Sequence, residues 1–220
     1  MAAKATSSAA AVDVLLDHLD NGATPFFMTL DDGGSSAVYI AKELEKHNWR
    51  GHFFVTTNYI DTPTFVSSDQ IRWLHKRGHV VGSHSSSHPF RMSEISSEQL
   101  AFEWKNSVEV LSGILGKPVR TASVPGGFYA PRVAEAAAAA GIRALFNSEP
   151  TTRVFGVGGC LVLGRFTVYR GLSAEYAGKL AAASPGALAK QQVLWGAKKI
   201  LKTVAAPLWD GARKVFFSPK

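Results

Sequence analysis

The chain is 220 residues long, has a formal net charge of +7 and carries one cysteine, Cys160. That length suits one domain with a sizeable core, and 46% hydrophobic with 10% aromatic residues is ordinary for a globular protein. The lone cysteine excludes an intrachain disulfide, no apolar run reaches the roughly 18 residues of a membrane helix, and the basic charge lacks the interleaved aromatics of a nucleic-acid binder, pointing instead to anionic glycans or a membrane surface. A single thiol fits a reducing compartment. The first 11 residues lack the apolar stretch of a secretory signal. Together these read as a cytoplasmic protein with an option of peripheral membrane contact.

Residues 1–10 are small and polar and read as an arm, followed by helical spacing over 11–19 and a break at Asn21-Gly22. The apolar run Phe26-Phe27-Met28 predicts a first strand that ends on Asp31-Asp32-Gly33-Gly34. Ser35-Ser36 reads as the cap of a helix through about residue 47, with Val38, Ile40, Ala41 and Leu44 on its apolar face. A second strand is expected over 52–56 and a loop over 57–63. Ser67-Ser68-Asp69 then caps a helix over 70–76 that stops at Gly78. His75 and His79 flank that stop and read as surface histidines.

Val80-Val81 predicts a third strand, delivering Gly82-Ser83-His84-Ser85-Ser86-Ser87-His88-Pro89. A long helix follows over 97–115, closed by Gly116 and Pro118. A fourth strand is expected over 119–124 and leads into Pro125-Gly126-Gly127-Phe128-Tyr129. Pro131 opens an alanine-rich helix to Gly141, and a fifth strand over 143–147 leads to Ser148-Glu149-Pro150. Residues 160–163 and 165–169 are further strand candidates. After Ser184-Pro185-Gly186, residues 187–205 run helically, with Val193, Leu194, Ala197, Ile200, Leu201 and Val204 near one face and Lys198, Lys199 and Lys202 opposite. This reads first as a packed helix with a solvated basic face and second as a membrane-surface helix. Pro207 separates it from an apolar, basic stretch at 208–217.

Alternating strands and helices argue for a parallel α/β arrangement, in which strand C-terminal ends carry the site. Asp31, Asp32, His84, Pro125 and Glu149 fall at such ends. An Asp-Asp-Gly-Gly stretch alone is a turn, and an isolated HxxxH pair alone is a solvated helix start. Together they suggest a metal site: His84 and His88 at i, i+4 share a side within one helical turn, and a strand-end aspartate completes two imidazoles and a carboxylate. Two neighbouring aspartates supply a ligand and a base, pointing opposite ways along an extended chain. Such a donor set suits zinc, and also cobalt, nickel or iron.

These stretches resemble the polysaccharide deacetylases of carbohydrate esterase family 4, the NodB-homology domain. The family's T-F-D-D-G motif is similar to Thr29-Leu30-Asp31-Asp32-Gly33, and its H-[ST]-x-x-H motif to His84-Ser85-Ser86-Ser87-His88 with Pro89 after it. Gly51-His52-Phe53-Phe54-Val55 and Gly78-His79-Val80-Val81-Gly82 resemble its second and third strands, and the likeness spans roughly residues 24–170. The resemblance implies a distorted, incomplete (β/α) barrel of about seven strands. It also implies a metal-dependent deacetylase acting on the N- or O-acetyl groups of a glycan. Asp32, His84 and His88 would hold the metal, and Asp31 would be the base. The domain plan that follows is an arm and short helix at 1–20, the barrel at 21–175 and a basic helical extension at 176–220.

Two departures stand out. Ser123 occupies the position of the family's third-motif arginine, with Arg132, Arg153 or Arg165 as candidates to replace it from elsewhere. No histidine follows His88, where the family has a late general acid. Glu149 is the candidate substitute acid, since a carboxyl partly out of water has a raised pKa; the other reading of Glu149 is an ion pair at the barrel rim. Pro125, Gly126 and Gly127 are substrate-binding candidates, because glycines let a ligand approach the backbone, although a glycine pair equally suits a plain turn. Phe128 and Tyr129 read as core or as stacking surfaces for sugar. The departures also leave a second function open: a glycan-binding protein that keeps the metal site with little or no turnover.

Overall fold

A computed structural model describes residues 26–204, with side chains to residue 197. The expected helix at 11–19 and the segment 208–217 lie outside the described residues. Strands and helices alternate as β1 Met28–Leu30, α1 Ala37–Glu45, β2 Gly51–Val55, α2 Ser68–Lys76, β3 Val80–Ser83, α3 Ser97–Leu115, β4 Thr121–Ser123, α4 Pro131–Ala139 and β5 Ala144–Phe146. Then come β6 Val154–Val157, β7 Cys160–Leu163, α5 Ala174–Ala181 and α6 Pro185–Val204. The contacts separate two compact units. Among the described residues, one takes 26–148 with 153–163, and the other takes 149–152 with 164–204.

The first unit holds all seven strands in the order β1-β2-β3-β4-β5-β7-β6. Pairing is parallel from β1 to β5 and on to β7, with Phe53 beside Val81 and Ala122 beside Leu145. Strands β1 and β6 pair with β2 and β7 only, so the sheet curls without closing: an incomplete (β/α) barrel of seven strands. β6 runs antiparallel to β7, against the expected strict alternation. The cause is Gly158-Gly159, both at positive φ (57° and 84°), which form a two-residue turn between Val157 and Cys160. The strand expected over 165–169 is absent: those residues pair with no strand, and the stretch that pairs with β7 lies upstream of it.

Strand periodicity sorts the core. On β2, Phe53 packs outward with Leu44, Ile71 and Leu74 of α1 and α2, while Phe54 points inward with Phe146 and Leu163. A second outward cluster joins Trp104 of α3 to Val133 and Ala137 of α4. The inner space is tight enough to demand glycine on β3: a Cβ at Gly82 would sit 2.5 Å from Thr121 Oγ1 and 2.6 Å from the Phe54 ring.

Serines at 67 and 96 close capping boxes with Gln70 and Gln99, and Gly116 (φ 67°) ends α3 in the left-handed conformation. At α1 the expected serine cap is not made. Ser36 has helical backbone angles and no side-chain bond, and the first turn rests on Ala37 N–H donating to Gly34 O at 2.9 Å. His79 is a further correction, since it is 2% exposed rather than a surface group. Its Nδ1 accepts from Gly51 N–H at 3.0 Å and its Nε2 meets Glu45 at 3.1 Å, which ties β3 to β2 and α1 at the N-terminal end of the strands.

Candidate active site

At the opposite, C-terminal end, β1 stops at Leu30 and the chain turns sharply. Asp32 (φ 72°) and Gly33 (φ 78°) both adopt the left-handed conformation, and Asp32 O accepts from Thr56 N–H at 3.3 Å beyond β2. A Cβ on Gly33 would lie 3.0 Å from Val55 Cγ1, so glycine suits this turn twice over. The turn, rather than strand alternation, separates the two aspartates. Asp32 Oδ1 lies 3.3 Å from His84 Nε2 and 3.4 Å from His88 Nε2, whereas Asp31 Oδ2 accepts from Ser123 Oγ at 3.2 Å and stands 4.0 Å from His84 Nε2.

The two imidazoles meet with ring centroids 5.0 Å apart, but no helical turn brings them together. Residues 84–88 form a loop with Ser85 (φ 64°) and His88 (φ 59°) left-handed. Thr57 N–H donates to Ser85 O at 3.2 Å and Asn58 N–H to Ser86 O at 2.9 Å, and the loop's other face is held by α3. Glu103, buried at 7% exposure, accepts from Ser86 N–H (2.9 Å), Ser87 N–H (2.8 Å) and Ser87 Oγ (2.5 Å). Ser107 Oγ pairs with Ser83 Oγ at 2.6 Å, and Asn106 donates to Ser86 Oγ at 2.7 Å. Within the loop, His88 N–H donates to Ser85 Oγ at 3.0 Å. Sequence reasoning missed Glu103, Asn106 and Ser107. The available signal was that Glu103 and Ser107, at i and i+4, fall on the helix face marked by Leu100, Trp104 and Leu111.

The orientation of His84 follows from its other nitrogen. Nδ1 lies 2.9 Å from Ser123 O, an obligate acceptor, so Nδ1 carries a proton and Nε2 of the neutral ring offers its lone pair toward Asp32. A lone pair facing a carboxylate oxygen needs a cation between them, either a proton or a metal. The hydrogen bonds from His84 and then His88 hold the Asp32 carboxyl well below the usual carboxylate range, against the opposing effect of burial. Asp32 in turn raises the pKa of His88. The donors also fit a metal. The ligand atoms of Asp32, His84 and His88 all lie within 4.8 Å of one another, and a tetrahedral ion with bonds near 2.0–2.1 Å sets its ligand atoms roughly 3.3–3.4 Å apart.

The remaining predicted residues divide. Pro125 is buried, opening a short turn beyond β4, with Gly126 (φ 62°) and Gly127 (φ 72°) left-handed. The groups crowding these glycines belong to the protein: a Cβ would meet Phe90 O at 2.7 Å and Ser148 Cβ at 2.8 Å respectively. Phe128 sits edge-on to Phe90 (5.3 Å) with the Arg91 guanidinium 5.3 Å from its centroid, and Tyr129 packs against the Trp104 cluster. The Arg132 guanidinium binds Ser93 O and Ser97 Oγ near the start of α3. Glu149 belongs to the second unit, where its carbonyl accepts from Thr151 N–H and Arg165 N–H.

Comparison with known proteins adds the following. The sequence profile of the family described as "Polysaccharide deacetylase" matches residues 19–145. An uncharacterised 30.6 kDa protein of Geobacillus stearothermophilus is 35% identical over 79 residues, covering 35% of this chain and 28% of that protein. The fold is similar to the Streptococcus pyogenes deacetylase PplD, solved with acetate (TM-score 0.64, 18% identity, 74% of this chain and 73% of that one). It is also similar to a polysaccharide deacetylase of Bacillus cereus (TM-score 0.62, 20%, 71% and 51%) and to IcaB of Ammonifex degensii (TM-score 0.59, 22%, 71% and 71%).

Proposed function

This chain belongs to the polysaccharide deacetylase family, and from that premise we propose that it hydrolyses acetyl groups, N- or O-linked, from a polysaccharide or related glycan, with Asp31 as base and a divalent cation held by Asp32, His84 and His88. The observation that carries this reading is the single carboxylate oxygen of Asp32 lying 3.3 and 3.4 Å from two imidazole nitrogens, one of them fixed as a lone-pair donor by Ser123 O. Bound there, zinc or a similar ion would lower the pKa of a water and polarise the acetyl carbonyl.

In this reading the chain's own groups do the rest. Asp31 takes the water proton as the water oxygen bonds to the acetyl carbon. A backbone N–H near Gly126 offers a hydrogen bond to the carbonyl oxygen as charge grows on it, and Pro125 to Gly127 line the substrate. As the bond to nitrogen or oxygen breaks, the departing atom takes a proton from an acid and acetate is released. Glu149 is our candidate acid from its sequence position after β5, and Glu149→Gln tests it by loss of turnover with zinc binding kept.

Acetate release from acetylated chito-oligosaccharides and acetylated polysaccharides tests the whole reading. Activity that a chelator abolishes and zinc or cobalt restores is the expected result. Glycan binding without any acetate release would favour a binding protein instead, the reading suggested by Ser123 in the arginine position. Among the described residues no helix is long and apolar enough to cross a membrane. Peripheral membrane contact through α6 is a separate proposal, supported by the exposed Val193 and Leu194. Liposome flotation of the full chain beside one ending at Ser184 tests it, and absence of binding by both would end it.

A further inference from the structure

Ser123 stands where one residue can serve two neighbours of the site at once. It is the last residue of β4, is fully buried, and sits beside the end of β3, whose Ser83 pairs with Ala122. Its carbonyl accepts from His84 Nδ1 at 2.9 Å, and its hydroxyl donates to Asp31 Oδ2 at 3.2 Å. We propose that Ser123 is a positioning residue of the reaction: its hydroxyl aims the Asp31 carboxylate while its carbonyl independently sets the ring of His84. This rests on the proposed role of Asp31 as base.

The physical argument is one of restricted rotation. Asp31 lies beyond the last residue of β1, outside the sheet ladder, and its carboxylate is partly exposed. The staggered χ1 positions of an aspartate there differ in where the carboxylate oxygens point, and a bond to one oxygen favours the position that makes it. A hydroxyl held in a buried strand, 92 residues away in sequence, fixes one carboxylate oxygen and with it the direction of the other. Two features make serine suited to this. Its donor arm is short, so its reach is set by the backbone of β4, and the same residue's carbonyl is already committed to His84. A shift of β4 would therefore move base and ligand together and preserve their spacing.

The two roles come apart by substitution, because only one of them needs the side chain. Ser123→Ala removes the hydroxyl and leaves the carbonyl. We expect kcat for acetate release to fall about 10- to 100-fold, the usual cost of losing a group that orients a reacting residue, with KM, zinc affinity and melting temperature unchanged. Ser123→Thr, which returns the hydroxyl, should regain most of the lost kcat. A kcat for Ser123→Ala equal to that of the unmodified chain would overturn the proposal. So would a loss of zinc affinity matching the loss of kcat, since the residue would then act only through the ligand frame. If the unmodified chain releases no acetate, the functional reading fails separately, and a metal-free crystal structure of Ser123→Ala decides this one. An Asp31 carboxylate displaced from its present place supports the proposal, and an unmoved one refutes it.

Discussion

Both ends of the sheet pair histidine with carboxylate, and the two pairs serve opposite purposes. At the N-terminal end, His79 is sealed from solvent and both its nitrogens are engaged, by Gly51 N–H and by Glu45, while Arg77 takes the rest of the Glu45 carboxylate. The Glu45 carboxylate accepts from the guanidinium and the imidazole, the imidazole accepts from the backbone amide, and the arrangement is a lock. At the C-terminal end, Asp32 receives two imidazoles, its carboxylate is 64% exposed, and the nitrogen turned toward it from His84 carries a lone pair in the neutral ring. The same residue types make a lock at the end where the Arg77 guanidinium joins them and, under the proposed function, a cation receptor at the other.

Substitutions that break this contrast fall in order of expected size. Asp31→Asn should lower acetate release about 10²- to 10⁴-fold, the range for loss of a general base, with zinc binding retained; full activity would remove Asp31 from the mechanism. Glu103→Gln loosens the loop that carries both histidines and should weaken zinc binding about 10- to 100-fold, read by calorimetric titration. Gly82→Ala forces a Cβ against Thr121 and Phe54 and should destabilise the fold by about 1–3 kcal/mol, read by denaturant melts.

Smaller and pH-dependent effects sharpen the comparison. Burial holds His52 down to about 4 from 6.5. The unfolded chain therefore binds a proton that the native one does not, and stability is lost as pH falls from about 6.5 toward 4, by about 3 kcal/mol. Replacing His52 with leucine should flatten that slope. Glu45 is held down to about 2, chiefly by the Arg77 hydrogen bonds. Its contribution is present above its ordinary value of 4.5 and is lost as pH falls from there toward 2, so Glu45→Gln should lower stability at pH 7 and narrow the gap in acid, leaving zinc affinity unchanged.

The sequence spoke most clearly where one residue type has one local use. Pattern and punctuation agreed for α3, whose Ser96 box and Gly116 stop frame residues 97–115, and the strand ends at Asp31, His84 and Pro125 could be read from apolar runs followed by polar residues and glycines. What stayed hidden was tertiary. The spacing of His84 and His88 suggests a helical turn, yet Glu103, fifteen residues beyond His88, holds the segment in an irregular loop. His79 looks like a helix-end surface group until β2 and α1 close over it. The β6–β7 hairpin carried a readable sign in Gly158-Gly159 between two apolar stretches, but a chain of alternating strands and helices draws the eye to parallel pairing.

A zinc titration of the full chain at neutral pH, run beside Asp32→Asn and Glu45→Gln, tests the receptor end most directly. The account predicts one equivalent bound by the unmodified chain and by Glu45→Gln, weakening as pH falls because protons compete for the same donors, and at least about tenfold weaker binding by Asp32→Asn. Failure of the unmodified chain to take up zinc, cobalt, nickel or iron, or binding that Asp32→Asn leaves untouched, would contradict it.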